Sequence, residues 1–155
     1  MNKCILIAVT IFMASFVYSQ SNKDEIALMQ AAFGMDKQAV VAEFVKPSPA
    51  EKDAFWAIYD EYEVKRKELG KQRIALLEEY ADKYLTMTGV DADAWTQKAI
   101  TLQKKTDDLI ADYYKKVKAK SDGVVATQFY QIENFILVAI RAQVLQNIPF
   151  LPNKN

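Results

Sequence analysis

Hydrophobic residues recur at intervals of three and four along most of the chain, which is the spacing of amphipathic helices. Residues 24–33 follow this pattern and end at Gly34, which predicts a short first helix. Asp36 can cap a second stretch at residues 37–45, where Pro47 disfavours helical geometry at Lys46. We expect these two stretches to form one N-terminal arm, which either covers the core or detaches to bind a partner.

The first of three longer helices is predicted to start at a capping box, Ser48-Pro49-Ala50-Glu51, which places a proline at the first helical position. This helix is predicted to run to about Met87. Its hydrophobic stripe consists of Phe55, Tyr59, Tyr62, Leu69, Leu76, Tyr80 and Tyr84. Gly70 lies inside the helix, so we expect a bend or a close helix contact there.

Two further helices complete the pattern. One is predicted from Asp91, as its cap, to about Lys120, and the other from the break at Asp122 to Ile148. The earlier helix has a coiled-coil-like seam of Trp95, Ala99, Leu102, Thr106, Leu109, Tyr113 and Val117. The last helix is the most apolar, with Val125, Phe129, Ile132, Ile136, Ile140 and Val144 on one side and Phe135, Leu137, Val138 and Leu145 on the others. It is therefore buried on more than one face or joined to another subunit, and we favour a homodimer contact. The apolar tail at 148–152 is expected to pack over the end of the bundle.

The first nineteen residues have the pattern of a signal peptide. A basic start at Lys3 precedes an apolar run from Cys4 to Val17, and Ser19 is a small residue of the kind that precedes cleavage. Cleavage after Ser19, or one or two residues later, leaves a single helical domain at 20–155 in the periplasm or outside the cell. The run of about fourteen residues is shorter than the roughly 20 of a membrane-spanning helix, so we expect no stable membrane insertion after cleavage. The remaining chain has no cysteine and forms no disulfide.

The amino-acid composition favours one fold class and argues against several kinds of function. Of 155 residues, 51% are hydrophobic and only four are Gly and four Pro, which favours one all-α domain over a sandwich or barrel. Twenty basic residues balance twenty acidic ones, so no net charge attracts nucleic acid. The absence of His removes the usual catalytic triad and the Glu-x-x-His di-metal site of helix bundles. We therefore expect no enzyme activity, no metal site and no cofactor.

Two arginines interrupt the hydrophobic stripe of the first long helix. Arg66 and Arg73 lie seven residues apart where aliphatic residues are expected. They either form a structural ion pair with Glu133 or Glu78, or line a concave face for client proteins. In the second case, a basic and aromatic surface of Arg66, Arg73, Lys65, Tyr59, Tyr62 and Tyr113 would contact clients. The alternative is a tyrosine-rich core with a solvated basic rim.

Two helix starts share a motif. A cap residue, Ser48 or Asp122, is followed seven residues later by Phe, an aromatic residue, any residue and Ile. These runs are Phe55-Trp56-Ala57-Ile58 and Phe129-Tyr130-Gln131-Ile132. With the signal peptide and the helix lengths, residues 24–148 resemble the periplasmic Spy/CpxP-like proteins, which carry a Leu-Thr-x-x-Gln motif at two helix starts. The segment 47–51 keeps the hydroxyl cap and a long polar residue three positions on, whereas 121–125 keeps only a capping residue.

The resemblance implies a long antiparallel helical hairpin in a cradle-shaped homodimer. Such a protein binds unfolded proteins without ATP or reports envelope stress. The alternative function is a structural or regulatory module that binds one dedicated envelope partner through the last helix. A metal-stress sensor is the third and disfavoured function, because related members sense metals through His and Met, and this chain has no His.

Overall fold

The computed structural model describes residues 36–153, of which 79% are helical, with no strand in that range. The all-α prediction is thereby confirmed. Four helices follow one another in the chain: α1 at Lys37–Phe44, α2 at Lys52–Lys83, α3 at Gly89–Lys118 and α4 at Gly123–Leu145. The predicted signal peptide, its cleavage site and the predicted helix at 24–33 lie outside the described residues.

The long helices α2 and α3 form an antiparallel hairpin. Near the turn, the indole N–H of Trp95 donates a hydrogen bond of 2.8 Å to the carbonyl oxygen of Leu76. Far from the turn, the ammonium of Lys116 lies 3.4 Å from the carboxylate of Glu61. The predicted hairpin is therefore present. Helix α4 returns along α3 and starts at the same end of the bundle as α2.

The two helix starts with the shared motif are joined directly. The side chain of Glu51 accepts hydrogen bonds from the Ser48 amide at 3.0 Å and the Ser48 hydroxyl at 2.6 Å. Its other oxygen accepts the amide of Asp122 at 2.7 Å. Only half of the predicted capping box forms, because the Glu51 amide donates to the carbonyl of Ser48 instead of its hydroxyl. These hydrogen bonds lower the pKa of Glu51, that from the Ser48 side chain most of all.

The other predicted helix ends are correct to within a few residues. Asp36 caps α1 by accepting the Ala39 amide at 2.9 Å, and Asp122 caps α4 by accepting the amides of Val124 and Val125. The cap of α3 is Thr88, where Asp91 was expected. Asp91 is its capping-box partner, so the helix starts three residues earlier than predicted. Helices α2 and α4 end at 83 and 145, short of the predicted 87 and 148, because turns follow them.

Gly70 makes no close helix contact. Helix α2 is continuous through it, and a Cβ atom placed there would have nothing within 4 Å outside the local helix backbone. The predicted close contact is therefore wrong.

The core lies at the end of the bundle where α2 and α4 begin. Phe55 and Phe129, the motif phenylalanines, are fully buried, and the ring of Tyr62 packs 5.2 Å from that of Phe129. Val40 and Val41 of α1 are buried in the same cluster. The described part of the N-terminal arm therefore covers the core, as one of the two predicted alternatives has it.

At the opposite end of the bundle, the tail contacts α2. Tyr80 and Trp95 pack with ring centroids 4.7 Å apart, and the Tyr80 hydroxyl donates to the carbonyl oxygen of Pro149 at 2.8 Å. This hydrogen bond holds the tail at Pro149, but Phe150 and Leu151 are 96% and 42% exposed, so these side chains do not pack over the end of the bundle as expected.

Helix α4 has two apolar faces. Its inner face carries buried Phe129, Ile132 and Ile136, while Val138 and Leu145 on the outer face are 61% and 66% exposed. Within the described range, α4 is also the one helix whose length and apolar composition would suffice to cross a membrane. The core helix of a water-soluble bundle passes the same test, so this property does not separate the two situations.

Candidate functional site

A buried ion network joins α1, α2 and α4. The ammonium of Lys37 lies 2.6 Å from Glu63, 2.6 and 2.9 Å from the two oxygens of Glu133, and 2.8 Å from the Tyr59 hydroxyl. Lys37 is 9% exposed and Glu133 1% exposed. Buried charges require such compensation, because removing an ion from water costs several kcal/mol.

Arg66 and Tyr62 complete this network. The Arg66 guanidinium donates to both oxygens of Glu63, at 2.6 and 2.9 Å, and the Tyr62 hydroxyl donates to Glu133 at 2.6 Å. Two cations therefore face two carboxylates, and the network carries no net charge.

The network shifts the acid–base behaviour of its members. Burial alone would raise the pKa of Glu63, but the hydrogen bonds and charges of Arg66 and Lys37 outweigh it and lower that pKa to about 2. Burial, reinforced by the nearby Glu133 carboxylate, raises the pKa of Tyr62 well above its ordinary value. Glu63 is therefore ionised and Tyr62 protonated at neutral pH.

The predicted ion pair is found with different partners. Glu133 was expected to pair with Arg66 or Arg73, but the cation on its carboxylate is Lys37, and the carboxylate that chelates Arg66 is Glu63. Sequence reasoning missed Lys37. The available signal was the unexplained glutamate within the most apolar helix and a lysine on the same helical face as Val40 and Val41.

An apolar groove of about 270 Å³ lies beside the ion network, between α2 and α4. Its walls are Leu69, Ile74 and Leu77 of α2 and Ile136, Leu137, Ile140 and Val144 of α4, and its floor is Thr106 and Ile110 of α3. Lys37, Tyr62, Arg66 and Glu133 close one end, while Lys67, Lys71 and Arg73 add positive charge along α2. Gly70 also lines the groove and leaves open space there.

Arg73 lies in the wall of this groove. One of its guanidinium nitrogens, Nη2, is buried and has no hydrogen-bond partner in the described part of the chain. Nearby Arg141 also has a buried unpartnered nitrogen, Nε, while its Nη2 lies 3.2 Å from Asp107. Burial lowers the pKa of Arg73, and the charge of Arg141 lowers it further, against the opposing effect of Asp107. Two guanidinium groups thus lie near one carboxylate, which accepts a hydrogen bond from Arg141.

The predicted client-binding tyrosines are not on the surface. Tyr59, Tyr62 and Tyr113 are 2% exposed or less, so none of them offers the open aromatic surface that was expected, although Tyr62 lines one end of the groove. Lys65 and Lys116 lie over the Tyr113 ring from outside, 5.4 and 4.3 Å from its centroid. The tyrosine-rich core with a basic rim is therefore the correct alternative.

The other motif aromatics lie at the edge of the core. Trp56 is half-buried and packs 5.0 Å from the Phe55 ring, while Tyr130 is exposed and packs 6.0 Å from Tyr114. The motif thus serves the joined helix starts and the core.

Metal chemistry finds no support from side-chain geometry. Between residues 36 and 153, no three His, Cys, Asp or Glu side chains come together in an arrangement that could hold a metal ion. No protein-family model, curated protein or solved structure is significantly similar to this chain.

Proposed function

We propose that the protein is an exported helical binding protein that holds segments of unfolded or partner proteins without ATP, in a chaperone-like or envelope-stress role. The observation that supports this proposal is the apolar groove with positive charge along one wall. Unfolded chains expose aliphatic side chains, and burying such a side chain contributes about 1.5 to 3 kcal/mol. Lys67 and Lys71 can attract acidic residues that flank such a segment, and their long side chains adapt to varied partners.

The test is the aggregation of a reduced, unfolded client with equimolar protein comprising residues 20–155. Leu77→Asp places a carboxylate in the groove wall, whereas Val64→Asp places one on the same helix at a site that is 72% exposed. We expect wild type and Val64→Asp to suppress aggregation and Leu77→Asp to lose suppression while circular dichroism shows a folded helix bundle. Unchanged aggregation with the wild-type protein contradicts the proposal.

The outer face of α4 supports a second candidate function, the binding of one dedicated envelope partner. Val124, Val138 and Leu145 are each more than 60% exposed, and they add up to apolar surface along one helix that a partner could cover. A pull-down that yields one stoichiometric partner, lost on Val138→Asp, favours this function. Many substoichiometric clients favour the chaperone-like one.

The same face is where we place the proposed homodimer contact. Sedimentation of the wild-type protein and Val138→Asp tests it, and a monomeric wild type removes the dimer.

A further inference from the structure

We propose that the groove binds a single-chain anionic amphiphile of the fatty-acid class. Its carboxylate would bind Arg73, and its hydrocarbon chain would lie between α2 and α4. This inference concerns a ligand that the proposed function does not require.

The shape suits a chain-like ligand. Helix α3 packs against both α2 and α4, whereas no Cα atom of α2 lies within 8 Å of one in α4. The groove therefore runs along the helices with α3 as its floor. Its volume of about 270 Å³ is close to the lower end of the range for small-molecule sites, about 300 to 1,000 Å³. A single hydrocarbon chain fits such a volume better than a two-chain phospholipid.

The lining favours hydrocarbon over a polar ligand. Aliphatic side chains form the α4 wall, and they also contribute Leu69, Ile74 and Leu77 to the α2 wall and Ile110 to the floor. These surfaces offer few hydrogen bonds to the polar body of a sugar or a nucleotide, and desolvating a polar group without replacing its hydrogen bonds is costly. A hydrocarbon chain needs no hydrogen bonds and has no polar groups to desolvate.

The positive charge along the groove favours a ligand whose polar end is an anion. Arg73 lacks a hydrogen-bond acceptor for its buried Nη2, and the nearby carboxylate of Asp107 is already bonded to Arg141. Glu133 is the one acidic residue among those that line the groove, and Lys37 neutralises it. The two guanidinium groups of Arg73 and Arg141 exceed the charge of Asp107 by one, and a ligand carboxylate in the groove would neutralise this excess by binding the guanidinium of Arg73, which lines the groove.

The experiment is isothermal titration calorimetry of protein comprising residues 20–155 with dodecanoate, below its micellar concentration and with circular dichroism to confirm folding. Dodecanol, which has the chain without the charge, and acetate, which has the charge without the chain, are the ligand controls. We expect saturable binding of one dodecanoate per chain, at least about tenfold weaker binding of dodecanol, and no measurable binding of acetate.

Three variants locate the ligand. Arg73→Gln should weaken dodecanoate binding about tenfold or more, while Lys115→Gln, at an exposed site outside the groove, should leave it unchanged. Gly70→Leu projects a side chain into the open space of the groove and should abolish binding without unfolding the protein. The inference is overturned if wild type shows no saturable binding, if dodecanol binds as tightly as dodecanoate, or if Arg73→Gln or Gly70→Leu binds like wild type.

These results are independent of the proposed function. Dodecanoate binding without suppression of client aggregation leaves the inference standing and removes the chaperone-like role. Suppression of client aggregation without dodecanoate binding leaves the chaperone-like role standing and removes the inference about the ligand.

Discussion

Replacing Lys37 by methionine tests the ion network most directly. Methionine keeps the length and much of the apolar stem of the lysine but removes the ammonium. The carboxylate of Glu133, which is almost fully buried, then keeps only the hydroxyl of Tyr62 among the donors described above. Glu63 retains both hydrogen bonds from Arg66, so the uncompensated charge falls mainly on Glu133.

The size of the effect follows from two limits. Breaking a buried ion pair by removing one partner costs about 3 to 5 kcal/mol. A carboxylate that has lost its cation can also take up a proton and stay buried in the neutral form. Protonating an ordinary glutamate at pH 7 costs about 3 to 4 kcal/mol, which sets an upper limit to the loss. We therefore expect the free energy of unfolding to fall by about 3 to 4 kcal/mol at pH 7, and by less at pH 5, where protonation is cheaper. For a domain of this size, this corresponds to a Tm lower by about 10 to 20 °C.

Urea unfolding followed by far-ultraviolet circular dichroism measures this change at both pH values. The control is Lys115→Met, since Lys115 forms its ion pair with Asp112 on the surface, where both side chains are exposed. Surface ion pairs contribute little, so this variant should unfold like wild type. If Lys37→Met loses less than about 1 kcal/mol, or loses the same amount at pH 5 as at pH 7, the ammonium does not compensate a buried carboxylate and the reasoning fails.

Three smaller predictions use the same urea measurement. Gly70→Ala should stabilise the protein by about 0.5 to 1 kcal/mol, because alanine is the better helix former and its methyl group meets nothing within 4 Å; a destabilised variant would mean that the glycine is required. Asp122→Ala should cost about 1 kcal/mol through loss of the α4 cap, while Asp122→Asn, which can still accept the two amides, should cost less; equal costs would contradict a capping role. The pKa of Glu63 falls from 4.5 to about 2 on folding, so its contribution is present above pH 4.5 and is lost as the pH falls to 2, on the order of 3 kcal/mol in all. The free energy of unfolding of Glu63→Gln should therefore fall less steeply than that of the wild type between pH 4.5 and pH 2. An equally steep fall would refute the lowered pKa of Glu63.

Local signals account for most of what the sequence predicts correctly. The caps Asp36 and Asp122 act within three residues of the amides that they bind, so the sequence alone contains the whole interaction. The start of α3 was misplaced because Thr88 and Asp91 can each cap a helix, and the distinction depends on which of the two adopts extended backbone. The buried face of a long helix also shifts relative to a strict heptad pattern. The predicted seam contains Leu109, yet Ile110 is the more deeply buried residue, because a period of 3.6 departs from a strict heptad over 30 residues.

Long-range pairing sets the limit of the sequence prediction. Lys37 and Glu133 are 96 positions apart, and no local pattern selects one cation for a given carboxylate. Periodicity likewise places Tyr59 and Tyr62 on one face without revealing whether that face contacts solvent or another helix. The groove is a property of the separation between α2 and α4, which depends on side chains from three helices at once. The candidate site therefore becomes visible only when the helices are assembled.

The ion network and the groove belong to one arrangement, because the network forms one end of the groove. At that end Lys37 and Arg66 are already paired with carboxylates at hydrogen-bond distance, so neither has an unused charge to offer a ligand. Arg73, further along the same wall of α2, is the cation whose buried nitrogen lacks an acceptor. An anionic group that entered the groove would consequently be attracted toward Arg73, while the end formed by the ion network presents a wall without net charge. The balance of charge within the network thus stabilises the fold and would leave Arg73 as the site for an anion. Where Glu133 stays ionised in Lys37→Met, its charge should weaken the binding of dodecanoate at Arg73, and at a pH where Glu133 takes up a proton the binding should be unchanged.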